Sequence, residues 1–257
     1  GCTAVVHLAA RVHVMNDQAV NPLLEFRQAN TEGTLQLARQ AVQAGVKRMV
    51  FVSSIKVNGE AGHFTAGSKP NPIDPYGISK FEAEEQLLEF GRQSGLEVVV
   101  LRPPLVYGPG VKANFLKLLS AVARGIPLPL GAVNNKRSLV FVGNLANAIA
   151  TCLAHPKAKG RVYLVSDNSD VSTAQLVREM AQAFGRKANL ISISPRLIES
   201  LAAILGKRAA AQRLLGDLTV SPQALCEELD WKPPFNMQAG MKETADWYMH
   251  QGQLKLR

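Results

Sequence analysis

The chain has 257 residues, of which 47% are hydrophobic and 19% charged, with a formal net charge of +9. That length holds one substantial core, or a core with a small lobe, and the charge fraction is too ordinary for a disordered chain. The basic residues are scattered and aromatics make up only 6%, so a surface suited to anionic metabolites is expected and nucleic-acid binding is not.

The three cysteines, Cys2, Cys152 and Cys226, are far apart, which fits a reducing cytoplasm. The histidines form no cluster with ligand spacing, so no metal is expected. No apolar run approaches the roughly 20 residues of a membrane span, and no signal peptide opens the chain.

The sequence starts abruptly. Thr3–Leu8 reads as a buried strand with no helix before it, and a domain opening in mid-sheet implies upstream residues outside this sequence. Positions 22–44 have helical periodicity, with Pro22 suited to the first turn and Gly45 to the stop. Val46–Val52 is a strand, Pro75–Ser94 a helix ending at Gly95, and Leu96–Leu101 a third strand. Apolar strands alternating with helices predict a parallel sheet covered on both faces. The Gly-, Pro- and Asn-rich stretch from Gly59 to Asp74 is expected to be a mobile loop.

Beyond Pro103 come a helix at Phe115–Arg124, another at Asn144–Ala154 and a short strand at Arg161–Val165. Ser172-Thr-Ala-Gln175 is a capping box that opens a helix ending near Gly185. Ser221-Pro222 opens a further helix, and Asn236 caps the last.

The sharpest chemical signal is Tyr76-Gly-Ile-Ser-Lys80 at a helix start. Residues i and i+4 share a face, so phenol and ammonium can serve one site. A phenol ionises near pH 10 (roughly), and a nearby cation makes it a usable acid/base. Alone, Tyr-x-x-x-Lys also arises by chance on a solvated helix. Its neighbours weigh against that. Val50-Phe-Val-Ser-Ser54 ends a strand in two hydroxyls, and Arg102-Pro-Pro-Leu-Val-Tyr-Gly-Pro-Gly110 follows another strand as a rigid loop. Leu8-Ala-Ala10 follows the first strand with small side chains. Ligands in open parallel sheets bind beyond the carboxyl ends of strands.

The order His7-Leu-Ala-Ala10, Asn30-Thr-Glu-Gly-Thr34, Ser53-Ser54, Tyr76-x-x-x-Lys80 and Arg102-Pro-x-x-Val-Tyr-Gly-Pro109 resembles the extended short-chain dehydrogenase/reductases, in particular their NAD-dependent epimerase/dehydratase branch. The resemblance covers essentially the whole chain. It implies a Rossmann-like, doubly wound α/β fold that is N-terminally incomplete, with a smaller C-terminal α/β substrate lobe. Residues 1–110 would be the later part of the NAD-binding domain. Residues 111–257 would be mainly the substrate lobe, with 134–155 returning to the sheet.

The resemblance also implies roles. Tyr76 would be the acid/base, Lys80 would hold the nicotinamide ribose and lower the phenol's pKa, and Ser54 would bind the reacting hydroxyl. Leu8, Ala9, Ala10, Asn30, Val52, Ser53, Arg102, Pro103 and Pro104 would line the cofactor, NAD, with NADP left open. Asn114, Leu130, Gly131, Arg137 and Arg213 would hold a UDP-sugar, Arg137 on the diphosphate. A homodimer would form through the helices at 22–44 and 75–94.

Two departures stand out. The family's Gly-x-x-Gly-x-x-Gly loop is not in this sequence, and neither is the acidic residue that reads the adenosine ribose. The family's frequent Val-Tyr-Gly is here Val57-Asn58-Gly59. Together with Val111-Lys-Ala-Asn-Phe115 and Pro127-Leu-Pro-Leu-Gly131, this is similar to a bacterial surface-polysaccharide subgroup that includes 4-keto reductases of UDP-6-deoxy-amino sugars. The expected activity is therefore epimerisation, or oxidation and reduction, at sugar C4. The alternatives are a non-catalytic dinucleotide sensor on the same fold, and an enzyme for a hydrophobic alcohol that needs no Arg137 clamp.

Overall fold

The computed structural model describes residues 1–12, 21–204, 206 and 208–254, the side chains of 208–210, 213 and 251–254 excepted. Its centre is a four-stranded parallel sheet in the order β1 (Ala4–His7), β2 (Arg48–Val52), β4 (Glu97–Arg102), β7 (Val162–Leu164). Val50 pairs with Val6 on one side and Val99 on the other.

Alternation along the strands explains why both faces are covered. Met49, Phe51, Val98 and Val100 point to one face, where they pack with Ala38 and Ala41 of α2 (Gly33–Gln43) and Ala83 and Leu87 of α3 (Pro75–Ser94). Val50, Val99 and Leu101 point to the other, against Leu145 and Ala148 of α5 (Val142–Ala154) and Leu225 and Leu229 of α9 (Gln223–Leu229). A separate core joins α4 (Ala113–Ala123), α6 (Thr173–Ala183) and α10 (Met237–Leu254) around Phe115, Leu119, Met180 and Met241. The remaining helices are α1 (Pro22–Phe26), α7 (Pro195–Ile204) and α8 (Arg208–Leu215).

Three expectations are corrected. The helix at 22–44 is not uniform: a π-helical segment, Arg27–Glu32, separates α1 from α2 and turns Asn30 and Thr31 inward. Such bulges often mark functional positions. The stretch 59–74 is not a structureless loop, because β3 (Gly62–Phe64) pairs in parallel with β8 (Leu218–Val220). Phe64 anchors it by packing with Ile55, Leu164, Leu218 and Val220. Finally, β1 is half-exposed rather than buried, with Val6 at 37%, because among the described residues it pairs with β2 alone. Two short parallel strands, β5 (Leu105–Tyr107) and β6 (Leu139–Phe141), complete the structure. Among the described residues no helix is long and apolar enough to cross a membrane.

Candidate active site

The carboxyl ends of β1, β2 and β4 open on one edge of the sheet, and most of the candidate residues collect there. Ser53 ends β2, its N–H donating to the Leu101 carbonyl at 2.7 Å. Its hydroxyl is buried without a hydrogen-bond partner among the described residues. Ser54 then caps the 3-10 turn Ile55–Val57, and its Oγ accepts from the Lys56 N–H at 3.2 Å.

Helix α3 delivers Tyr76 and Lys80. Asp74 caps it, its Oδ1 accepting from the Gly77 N–H at 2.6 Å, and Pro75 fills the first position. The helix buries Gly77, Lys80, Glu84, Leu87 and Gly91, one stripe of its surface. Glycine is needed at position 77, because a Cβ there would lie 2.8 Å from the Lys56 carbonyl oxygen. This close approach brings the start of α3, with Tyr76, against the Ser54 turn, and Ser54 acts on the ionisation of the phenol. The Phe26 ring meets Tyr76 edge-on at 6.2 Å.

Lys80 is 1% exposed. Its Nζ donates to the Val52 carbonyl at 2.8 Å and lies 3.9 Å from the centre of the Phe51 ring. Burial pushes this amine down to about 7, with Glu84 opposing the shift. Burial also pushes the Tyr76 phenol above its ordinary value; the nearby Ser54 hydroxyl pulls it back and the Asp74 charge raises it further. In the protein alone the net shift of the phenol is thus upward, with burial as its largest cause. Desolvation disfavours both charges, so a phenolate needs added positive charge at the site.

Asn30 is a clamp beneath the site. Its amide donates to the Arg11 carbonyl and to Ser79 Oγ, each at 3.0 Å, and its oxygen accepts from the Arg11 N–H at 2.7 Å. Thr31 donates to the Ser79 carbonyl at 2.9 Å. The π-helical segment thus ties the loop after β1 to the first turn of α3.

Other candidates face elsewhere. Leu8 is 62% exposed and Ala9 exposed at the exit of β1. In the Arg102-Pro103-Pro104 turn, expected near the cofactor, the Arg102 guanidinium is committed inward. Nε and Nη2 donate to Glu84, down to 2.5 Å, and Nη1 donates to Asn58 at 3.1 Å. A buried carboxylate one turn beyond Lys80 captures it. The Pro103 carbonyl accepts from the Ile55 N–H at 2.9 Å.

Of the substrate candidates, Asn114 is exposed at the start of α4. The Leu130 side chain is turned into the core, and the Gly131 N–H is taken by the Ile191 carbonyl at 3.0 Å. Arg137 is half-buried beside Asp217, with Nη1 3.4 Å from the Gly216 carbonyl. The Arg213 side chain lies outside the described residues. Sequence reading missed Asn58, Glu84 and the Lys56–Asp74 pair. Glu84 had a signal: a charged residue four positions after Lys80 on the helix's buried stripe.

A parallel sheet with helices on both faces, presenting Ser, Tyr and Lys at its carboxyl edge, defines a dinucleotide-dependent enzyme of the Rossmann type. Residues 1–166 match the model of the NAD dependent epimerase/dehydratase family, and the chain belongs to that family. It is 47% identical over 252 residues to a UDP-glucose 4-epimerase of Vibrio cholerae, covering 96% of this chain and 77% of that protein. It is 32% identical over 190 residues to an N-acetyl-alpha-D-glucosaminyl-diphospho-ditrans,octacis-undecaprenol 4-epimerase of Escherichia coli O157:H7, covering 73% of this chain and 56% of that one. The structure of an epimerase from Methanothermobacter thermautotrophicus shares the fold, with TM-score 0.78 at 20% identity over 98% of this chain and 73% of its own. The protein is thus an NAD-dependent enzyme similar to nucleotide-sugar epimerases, and the sensor alternative falls away.

Proposed function

We propose that this protein inverts, through a 4-keto intermediate, the C4 hydroxyl of a UDP-linked hexose used in surface-polysaccharide synthesis. The observation that carries this reading is the convergence of the Ser54 turn after β2 with the start of α3, which carries Tyr76 and, one turn further on, Lys80 on the same face. Both relatives named above are 4-epimerases of diphosphate-linked sugars, which supports C4 as the reacting carbon.

The residues present fit NAD. The small residues Ala9, exposed, and Ala10, half-buried, leave room beyond β1, with Leu8 beside them. Ser53 carries a buried hydroxyl without a partner among the described residues. The Lys80 amine has further donors beyond the one on Val52. In this reading Val52, Ser53, Lys80, Pro103 and Pro104 border the cofactor, and Asn30 acts through the loop it clamps. NAD, when bound, is the reversible acceptor of the C4 hydrogen and its electron pair, and its positive charge favours the phenolate. Tyr76 takes the proton of the C4 hydroxyl while Ser54 orients that oxygen, and the phenol later returns the proton. Arg137 pairs with the diphosphate, and Asn114, Leu130, Gly131 and Arg213 border the nucleotide. Residues 1–110 act as the cofactor domain and 111–257 mainly as the substrate lobe. Two copies pair through α1–α2 and α3.

A second reading, reduction of a 4-keto sugar, is favoured by Asn58. Where relatives often carry Tyr, this side chain is buried on Arg102. The same phenol would then give a proton rather than take one.

The test uses protein expressed from its complete coding sequence, with UDP-glucose, UDP-N-acetylglucosamine and their 4-keto-6-deoxy derivatives. Sugars are resolved by NMR and the nicotinamide followed by absorbance. Inverted sugar with no net nicotinamide change is the expected result. Stoichiometric nicotinamide turnover would favour the reductase reading. Tyr76→Phe abolishes turnover with the circular dichroism spectrum unchanged; an active Tyr76→Phe overturns the assignment.

A further inference from the structure

The turn carrying Ser54 and the helix end carrying Tyr76 meet on one cation, Lys56. Its backbone N–H holds Ser54 Oγ at 3.2 Å. Its side chain reaches two carboxylates: Nζ donates to Glu60 Oε1 at 2.8 Å and, in closer contact, to Asp74 Oδ2. Asp74 uses its other oxygen to cap α3 at Gly77. The two backbones touch at the same place, with the Lys56 carbonyl against Gly77. An ion pair, a cap and a backbone contact therefore join the Ser54 turn to the helix start that carries Tyr76.

The ion pair also has an electrostatic consequence. Asp74 lies two residues before Tyr76, and its charge opposes ionisation of the phenol. Among the described residues, Ser54 on the turn and the Phe26 ring from α1 also act on or meet Tyr76, and Lys80 lies on the same helix face. The Arg11 guanidinium sits behind that ring, 5.4 Å from its centre. Glu60 joins the cluster on the far side of Lys56. Among the described residues, Lys56 is a cation in direct contact with the opposing carboxylate.

We propose that Lys56 is a positioning residue for Tyr76: through Asp74 it holds the Ser54 turn against the start of α3 and screens the phenol from the Asp74 charge. The inference rests on Tyr76 being the acid/base. It goes beyond that reading by assigning the alignment of the pair, and part of its pH range, to a side chain outside the Ser-Tyr-Lys set.

The test is the pH dependence of kcat for the sugar substrate in Lys56→Met, Lys56→Arg, Asp74→Asn and the double variant Lys56→Met/Asp74→Asn. Removing one paired cation at this range moves the rising limb upward by about 0.5–1 pH unit. Lys56→Met therefore loses about 3- to 10-fold near neutrality and recovers at high pH. Lys56→Arg keeps the wild-type limb. Asp74→Asn retains the cap and moves the limb down, which tests the idea even if Lys56→Met fails to fold. The double variant returns towards wild type. A limb unmoved in both single variants, with kcat lowered equally at every pH, overturns the inference and leaves the cluster a structural brace. Tyr76→Phe run in parallel separates the two readings. If it is inactive while the limbs stay put, only the role of Lys56 fails; if it is active, the acid/base assignment fails with it.

Discussion

Replacing Arg102 by Met should destabilise this protein more than most single changes. The guanidinium makes three contacts of 2.5–3.1 Å to Glu84 and one of 3.1 Å to Asn58. The two charged side chains are 9% and 2% exposed. Met fills much of the same volume but leaves the Glu84 charge buried without its partner. Breaking one side of a buried pair costs about 3–5 kcal/mol. At about 2–4 °C per kcal/mol for a chain of this size, the midpoint falls by roughly 10 °C. Replacing both partners, Glu84→Leu with Arg102→Met, removes the stranded charge and should recover most of the loss, since apolar substitutes for buried pairs are often neutral. Thermal and urea unfolding followed by circular dichroism read all three variants. A loss under about 1 kcal/mol in Arg102→Met, or a double variant as unstable as the single, would refute the reasoning.

Two further outcomes follow from the same region. Lys80 falls from the ordinary lysine value to about 7 in the folded protein. Below pH 7 both states are protonated and the burial penalty is felt in full. Between about pH 7 and 10 the unfolded chain holds the extra proton, so unfolding free energy rises with pH by up to about 1.4 kcal/mol per unit. Lys80→Met should flatten that rise, and equal slopes in urea titrations at pH 7, 8 and 9 would count against it. Gly77→Ala places a Cβ 2.8 Å from a backbone oxygen. It should cost about 1–3 kcal/mol and weaken turnover by prising α3 from the Ser54 turn; a variant as stable and active as wild type would show that the contact relaxes freely.

The central sheet and the catalytic motif were legible because their signals are local. Apolar runs at 48–52 and 97–101 have one structural outcome in a chain of this composition. Tyr76 and Lys80 share a helix face at any tertiary arrangement, and Asp74-Pro75 marks where that helix starts. The strand β3 was not legible. Its partner β8 is more than 150 positions away, and three residues do not carry a period. The π-helical segment was hidden for a related reason: Arg27–Glu32 is compatible with an ordinary helix, and it is the bonds from Asn30 and Thr31 to Ser79 and Arg11 that select the wider turn.

Residue type and spacing, then, determined the fold class and the Ser54, Tyr76 and Lys80 candidates. Tertiary structure alone decided how their charges behave and where the arginines point. The Arg102-Pro104 turn was expected near the cofactor from the family resemblance, and a carboxylate on the neighbouring helix decides where the Arg102 guanidinium lies. Tyr76 and Lys80 are both buried deeply enough that desolvation sets the direction of each shift. Desolvation and pairing depend on what surrounds a side chain in space, and those surroundings come from segments distant in the chain.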